Sequence, residues 1–173
     1  RSETTMFYLD TDLLFAETYQ LRDGLAERLG VRFTRVHGGL SVADQALLHG
    51  PALWKRDPGL CCQLRKVAPL RNFLASQHAW ITGIRRDQTP QRANAGLVEW
   101  DAGNGLVKFN PLASWTSEDV WAHIREHGLP SNPLHEQGYL SIGCEPCTRP
   151  VAPGEDPRAG RWGDLDKTEC AAF

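Results

Sequence analysis

Thr5-Met6-Phe7-Tyr8-Leu9-Asp10 is the stretch on which the fold turns. A run this short and apolar, closed by a carboxylate, reads as a buried strand ending at Asp10. A helix is expected from about Leu14 to Leu29, because Leu14, Leu21, Leu25 and Leu29 fall on one stripe and Gly30 follows as a stop. Val31 to Val36 is a second strand. Ser41-Val42-Ala43-Asp44 then opens another helix, with Ser41 placed to cap it. A helix carrying Cys61-Cys62 follows and is expected to break at Pro69, and Ala79 to Ile84 is a third strand. Strands alternating with helices predict an α/β fold with a parallel sheet covered by helices.

Further along, Gly96 to Trp100 and Leu106 to Phe109 read as two short strands joined by a hairpin over Asp101-Ala102-Gly103-Asn104-Gly105. Thr116-Ser117-Glu118-Asp119 caps a helix that ends at Gly128, with Pro130 beyond it. From Pro130 the chain is rich in Pro and Gly, so loops are expected to carry the second cysteine pair. The segment from Arg149 to Phe173 has little apolar periodicity and is expected to be mobile, or ordered only over a bound ligand. The division that follows is residues 1–148 as one α/β body and 149–173 as a mobile tail.

The chain has 173 residues, 41% hydrophobic and 23% charged, which suffices for a full core. Its formal net charge of −2 supplies no global basic field for nucleic acid. No apolar run approaches a membrane span and no signal peptide opens the chain, so no membrane partner is expected. The chain opens at Arg1 rather than methionine, and a longer parent protein is expected.

Of the five cysteines, four fall in two tight pairs, Cys61-Cys62 and Cys144-Glu145-Pro146-Cys147, while Cys170 stands apart. Clustered cysteines without a secretory signal point to a reducing cytoplasm and a metal or redox role. The paired spacings of tetrahedral zinc sites leave two to four residues between cysteines, and Cys61-Cys62 leaves none. An iron–sulfur cube offers a separate iron at each metal corner, so adjacent sulfurs can each reach one. Free buried thiols are the alternative. A disulfide between neighbouring residues is strained. Arg65 and Lys66 lie four residues after Cys61 and Cys62, on a shared helix face. They could set two cations beside two thiolates, or form an ordinary solvated basic face.

These elements together resemble the assimilatory adenylyl-sulfate reductases. The resemblance rests on Cys61-Cys62 followed by Arg65-Lys66, the distant Cys144 and Cys147, Arg158 to Trp162, and Lys167-Thr168-Glu169-Cys170. Leu9-Asp10-Thr11, Glu17-Thr18-Tyr19 and Thr82 to Gln88 extend it over nearly the whole chain. It implies a Rossmann-like parallel sheet of the adenine-nucleotide alpha-hydrolase type, whose ligands bind at the carboxyl ends of the strands. Asp10, Thr11 and Arg85 would stand at that edge. The family's first strand and its Ser-Gly-Gly-x-Asp-Ser phosphate loop precede the Leu-Asp-Thr strand and lie outside this sequence. Gly38-Gly39 follows the second strand and cannot replace that loop. Asp12 stands where the family has glycine, and Ala171-Ala172-Phe173 stands where the family has Gly, a hydrophobic residue and His.

The resemblance implies reduction of adenosine 5′-phosphosulfate to sulfite and AMP in sulfate assimilation and cysteine biosynthesis, with thioredoxin as reductant. Cys61, Cys62, Cys144 and Cys147 would hold a 4Fe–4S cluster. Cys170 would be the nucleophile and pass through an S-sulfocysteine. Arg65, Lys66, Arg85, Arg158 and Arg161 would clamp the substrate, arginine being suited to tetrahedral oxyanions. Arg86 and Arg92 read as surface cations. The phosphoadenylyl-sulfate reductases share the tail cysteine but lack the paired cysteines, so the pairs favour a substrate without a 3′-phosphate. The competing class is a zinc-stabilised nucleotide-binding domain of the same fold, of which a tRNA-thiolating relative is one form. The oligomeric state is open, a homo-oligomer included.

Overall fold

The computed structural model describes residues 4–163 together with Lys167 and Glu169. Cys170 and its neighbours Ala171 to Phe173 lie outside the described residues. The chain divides into two compact units. The first comprises residues 1–70 and 131–173, and the second residues 71–130.

In the first unit, β1 (Met6–Asp10) pairs in parallel with β2 (Phe33–His37), with Met6 opposite Phe33 and Asp10 opposite His37. The connection is α1 (Ala16–Leu29), which makes this a βαβ unit. Gly30 ends α1 in the left-handed conformation, φ 64°, and donates to the carbonyls of Ala26 and Glu27. The helix starts later than its leucine stripe suggested. Leu14 is taken out of it by an antiparallel bridge to Cys144, and Glu145 N–H donates to the Leu13 carbonyl at 2.7 Å. Phe15 becomes the N-cap and is buried.

Helix α2 (Val42–His49) is capped as expected, with Ser41 Oγ accepting from Asp44 N–H at 3.0 Å. Short helices α3 (Leu53–Arg56) and α4 (Pro58–Cys62) follow, the latter capped by Asp57. The expected break at Pro69 does not occur. Gln63–Val67 forms a π-helical turn, and α5 (Ala68–Leu74) continues through the proline. Proline cannot donate to the carbonyl four residues back and its ring crowds that carbonyl. A wider turn immediately before it relieves both problems. Gly38, just after β2, packs against this turn. A Cβ there would lie 2.8 Å from the Leu64 carbonyl oxygen and 3.2 Å from Pro69 Cγ, so only glycine allows the approach.

The second unit holds β3 (Ala79–Ile81), β4 (Val98–Asp101) and β5 (Leu106–Phe109) in the order β3-β5-β4. β3 is parallel to β5, and β4 and β5 form the expected antiparallel hairpin. Its turn closes with Gly105 N–H on the Asp101 carbonyl at 2.7 Å and Gly105 at φ 74°. β3 is shorter than its apolar run. Thr82 N–H adds one more bond to Phe109 O at 2.8 Å before the chain leaves the ladder. Helix α6 (Ser117–Glu126) carries the capping box of Thr116 and Asp119. No helix among the described residues is long and apolar enough to cross a membrane.

Asp10 ties the end of β1 together. Its carboxylate accepts from Tyr19 Oη at 2.6 Å and Arg35 Nε at 2.6 Å. Burial alone would raise the Asp10 carboxyl, but hydrogen bonds from Tyr19, the Asp12 backbone and Arg35 hold it below the usual carboxylate range. The same contact, with burial first among its causes, pushes the Tyr19 phenol above its ordinary value. A carboxyl depressed on folding stabilises the fold above its unfolded pKa of about 4, and that contribution is lost as pH falls through the folded value. Asp10→Asn is expected to destabilise the protein at pH 7 by about 2 kcal/mol and to flatten the acid limb of stability between about pH 5 and pH 2. Urea midpoints measured across that range check both.

Candidate active site

Four segments of the first unit meet at one cleft. Leu13 follows β1, Trp54 lies on α3, and Pro58, Cys61 and Cys62 lie on α4. Arg65 and Lys66 sit on the π-helical turn, Cys144 is the N-cap and Cys147 the last residue of a 3₁₀ turn (Glu145–Cys147), and Arg161 and Trp162 close the cleft. The cleft contains about 340 Å³ of non-atom space, part of it open to solvent. None of these four cysteines is in a disulfide; Cys61 and Cys144 are buried and Cys62 and Cys147 half-buried.

Local backbone bonds explain how segments more than eighty residues apart converge. The Leu14–Cys144 bridge fixes one side of the cysteine loop. A second bridge, Thr148 to Arg161, fixes the other, with Arg149 N–H on Gly160 O at 2.8 Å and Trp162 N–H on Cys147 O at 2.8 Å. Residues 149–163 therefore fold back along the cysteine loop. Two glycines make this possible. A Cβ on Gly160 would collide with the Arg149 carbonyl, and a Cβ on Gly143 would collide with the Arg161 guanidinium.

Arg65 is the most enclosed cation of the cleft, 4% exposed. Its Nε donates to Gln45 Oε1 at 2.7 Å, and its Nη1 donates to Thr11 O at 2.9 Å and Asp12 Oδ2 at 3.3 Å. Gln45 in turn reaches Cys61 Sγ through Nε2 at 4.0 Å, and Thr11 Oγ1 lies 3.3 Å from Cys144 Sγ. Arg65 Nη2, Arg161 Nε and Trp54 Nε1 are buried donors with no hydrogen-bond partner among the described residues. All three belong to residues lining the cleft. Buried donors left without acceptors are rare and call for an occupant that accepts.

The charges point the same way. Burial pushes the Cys147 thiol up to about 11, with Cys144 and Cys61 adding to the rise and Lys66 and Arg161 opposing it. Cys61 is raised by burial and then by Cys144, against Arg65, Gln45 and Lys66. The thiols thus sense one another electrically, and cations of the same cleft counter them. Trp162, buried and held at φ 58°, gathers more positive charge, with Arg161, Arg158 and Lys167 at 4.5, 5.7 and 5.9 Å from its ring centroid. Arg161 and Arg158 both reach Ser141 Oγ, at 3.2 and 3.5 Å, and Arg158 pairs with Glu169 at 3.3 Å.

Of the residues singled out from sequence, Cys61, Cys62, Arg65, Lys66, Cys144, Cys147 and Arg161 line this one cleft. Arg158 joins through Ser141 and Trp162. Arg85 belongs to the second unit, where it pairs with Asp87 at 3.0 Å. Cys170 lies outside the described residues, although Glu169 beside it is described. Sequence reasoning missed Gln45, Trp54 and Ser141, none of which sits in a recognisable motif. Gly143 also went unremarked, although a glycine directly before a metal-type cysteine pair was an available signal.

Both the sequence and the fold match known proteins. Residues 1–150 match the phosphoadenosine phosphosulfate reductase domain. An adenosine 5′-phosphosulfate reductase from Salinibacter ruber is 58% identical over 171 residues, 98% of this chain and 68% of that protein. A phosphoadenosine 5′-phosphosulfate reductase from Gloeobacter violaceus is 51% identical over 167 residues, 95% of this chain and 69% of that protein. Among solved structures, the phosphoadenylyl-sulfate reductase of Candida auris in its phosphate complex superposes with a TM-score of 0.69 at 29% identity, covering 84% of this chain and 71% of that one. The chain belongs to the adenylyl-sulfate and phosphoadenylyl-sulfate reductase family, and its fold is that family's Rossmann-like α/β fold of the adenine-nucleotide alpha-hydrolase type.

The Gly143 contact yields a direct test of the cleft. Gly143→Ala is expected to push the Arg161 guanidinium off the backbone beside Cys144 while leaving the α/β fold intact. The check is the far-ultraviolet circular dichroism, unchanged, together with AMP affinity by calorimetry, reduced about tenfold.

Proposed function

We propose that this chain reduces adenosine 5′-phosphosulfate to sulfite and AMP, with an external dithiol of the thioredoxin class as reductant. The observation that carries the reading is the cleft in which four cysteine sulfurs outside any disulfide meet Arg65, Lys66 and Arg161, with buried donors that lack acceptors among the described residues. The names of the similar proteins from Salinibacter ruber and Candida auris support a sulfonucleotide substrate.

Cys61, Cys62, Cys144 and Cys147 would hold a 4Fe–4S cluster. The donor set fits such a group. The sulfurs are uncrosslinked and face cations, and buried donors stand ready for an anionic occupant. A single zinc fits less well. Its tetrahedral geometry brings sulfurs to about 4 Å of one another. Among the described residues, the three-ligand set found within 4.8 Å is His123, Glu126 and His127, with no cysteine in it. When bound, the cluster would supply a compact negative charge that positions the surrounding cations.

The chain's own residues perform the rest. Arg65, buried and fixed by Gln45, Thr11 and Asp12, keeps Nη2 available for an oxyanion. Lys66, on the next position of the π-helical turn, links the thiols to the sulfate. Arg158 and Arg161, gathered on Trp162, hold the remaining negative charge, and Arg85 joins them by the resemblance alone. The Cys170 thiolate attacks the sulfate sulfur. The new S–S bond forms as the S–O bond to the phosphate breaks, and AMP leaves with that electron pair. A thiolate of the dithiol then attacks Cys170 Sγ, sulfite leaves with the S–S electrons, and the second thiol resolves the mixed disulfide. The dithiol supplies both electrons and Cys170 is regenerated. Glu169, paired with Arg158 at 3.3 Å, would anchor the residue next to the nucleophile.

The Gloeobacter violaceus relative carries the name of a 3′-phosphorylated substrate, so both nucleotides belong in the test. Anaerobically purified protein is expected to contain four irons and four sulfides per chain, about, and to lose them when any one of Cys61, Cys62, Cys144 or Cys147 is replaced by serine. Incubation with adenosine 5′-phosphosulfate alone should place a sulfonate on Cys170, seen by mass spectrometry and removed by reduced thioredoxin. An adduct on another cysteine, or none from iron-replete protein, overturns the assignment. Faster labelling by the 3′-phosphorylated nucleotide would reassign the substrate. Lys66→Ala should retain iron and lose most turnover.

A further inference from the structure

The end of α6 in the second unit carries a cluster that the proposed reaction does not use. His123, Glu126 and His127 each offer one ligand atom, and these atoms lie within 4.8 Å of one another. The spacing explains the grouping. Residues three and four apart on a helix share a face, so His123 meets both Glu126 and His127 across one turn. The His123 and His127 rings stand 4.2 Å apart between centroids and Glu126 Oε2 lies 3.8 Å from His127 Nε2.

Three further features suit a cation here. The cluster sits on the last turn of the helix and its C-cap, where the helix dipole presents its negative end. Trp115 packs edge-on against His123, with centroids 5.3 Å apart and planes at 75°, which restricts the imidazole before any ion arrives. The ligand types are two imidazoles and a carboxylate, the set preferred by borderline transition ions rather than by magnesium or calcium. A histidine pair four residues apart on a helix is itself a known zinc-binding arrangement. Glu126 and His127 are exposed, so water would complete the coordination shell.

We propose that His123, Glu126 and His127 form a surface site for a divalent transition ion of the zinc or nickel class, separate from the cysteine cleft and independent of the reaction assigned to it. The ion bridges the last turn of α6 to its C-cap and so stabilises the helix end.

Nickel is the probe, since it quenches tryptophan emission at close range, and the protein is used with its cysteines as purified, iron content being followed throughout. Titration by calorimetry should reveal one Ni²⁺ site per chain, and emission should fall in parallel as the neighbouring Trp115 is quenched. His123→Gln and His127→Gln are each expected to weaken binding about tenfold or more. Glu126→Gln should weaken it less, because both imidazoles remain. Trp115→Phe should preserve binding while removing most of the quenching. Ni²⁺ should also raise the melting temperature of the parent protein and not of the double histidine variant. Circular dichroism of each variant reports whether the helix has survived. Equal nickel affinity in the parent and the double variant overturns the proposal. So does binding that appears only as iron is released, since that would place the ion at the cysteines.

Discussion

A guanidinium buried to 4% exposure has to be hydrogen-bonded and countered, or the fold around it does not close. Arg65 meets that requirement with groups from separate parts of the first unit. Gln45 comes from α2, and the Thr11 carbonyl and Asp12 carboxylate come from the turn after β1. The arginine itself comes from the π-helical turn. One side chain therefore fixes the relation of these three segments. Asp12 adopts a left-handed φ of 56° in doing so, a conformation that costs a non-glycine residue about 1 kcal/mol or more. Its carboxylate gains Arg35 at 2.8 Å and His37 at 2.7 Å as well as Arg65, and those contacts offset the strain. A glycine here would take the same backbone conformation freely but could make none of the three bonds.

The π-helical turn matters for the same reason. In a regular helix Arg65 and Lys66 would stack one turn above Cys61 and Cys62. Widening the helix at Gln63–Val67 alters that stacking and still leaves all four side chains lining the cleft. The widening is tied to Pro69, whose missing N–H and bulky ring disturb the preceding turn. It is tied also to Gly38, which accepts the bulged Leu64 carbonyl at a distance no Cβ would tolerate. A proline that reads as a helix breaker here marks the place where the helix is reshaped beside the residues that line the cleft, and π-turns often occur at such places.

Much of this was legible in the residues. The apolar run before Asp10, the serine cap of α2, the Asp101–Gly105 hairpin and the Thr116 capping box are local signals, and local geometry honours them. The convergence of the cysteine pairs was foreshadowed by their spacing. What local signals could not show was set by contacts between distant residues. The start of α1 shifted because Leu14 is claimed by Cys144, 130 residues away, and β3 ended at Ile81, where the next residue, Thr82, donates its hydroxyl to Asn110 Oδ1 at 2.6 Å. Gln45 looked like an ordinary polar helix residue because its partner Arg65 lies 20 residues on and its burial depends on the whole unit. Ser141 and Trp54 escaped notice for the same reason.

The electrostatics of the cleft differ in sign from those of the chain. Overall the protein carries a formal −2, yet Arg65, Lys66 and Arg161 line one cleft and Arg158 and Lys167 flank it on the Trp162 ring. Glu169 offsets Arg158, and Asp12 offsets Arg65 while also serving Arg35 and His37. Cations held this close repel one another, and in a partly enclosed site that repulsion is weakly screened. The indole face beneath Arg161 relieves some of it, and the four thiols can relieve more only by ionising. Burial raises Cys61 and Cys147 against ionisation, so as free thiols they do little to neutralise the cleft. Negative charge brought in by an occupant would balance these cations. A donor-rich cleft lined by cations favours compact anions over cationic occupants on electrostatic grounds, and the residues that create this preference also hold the segments together.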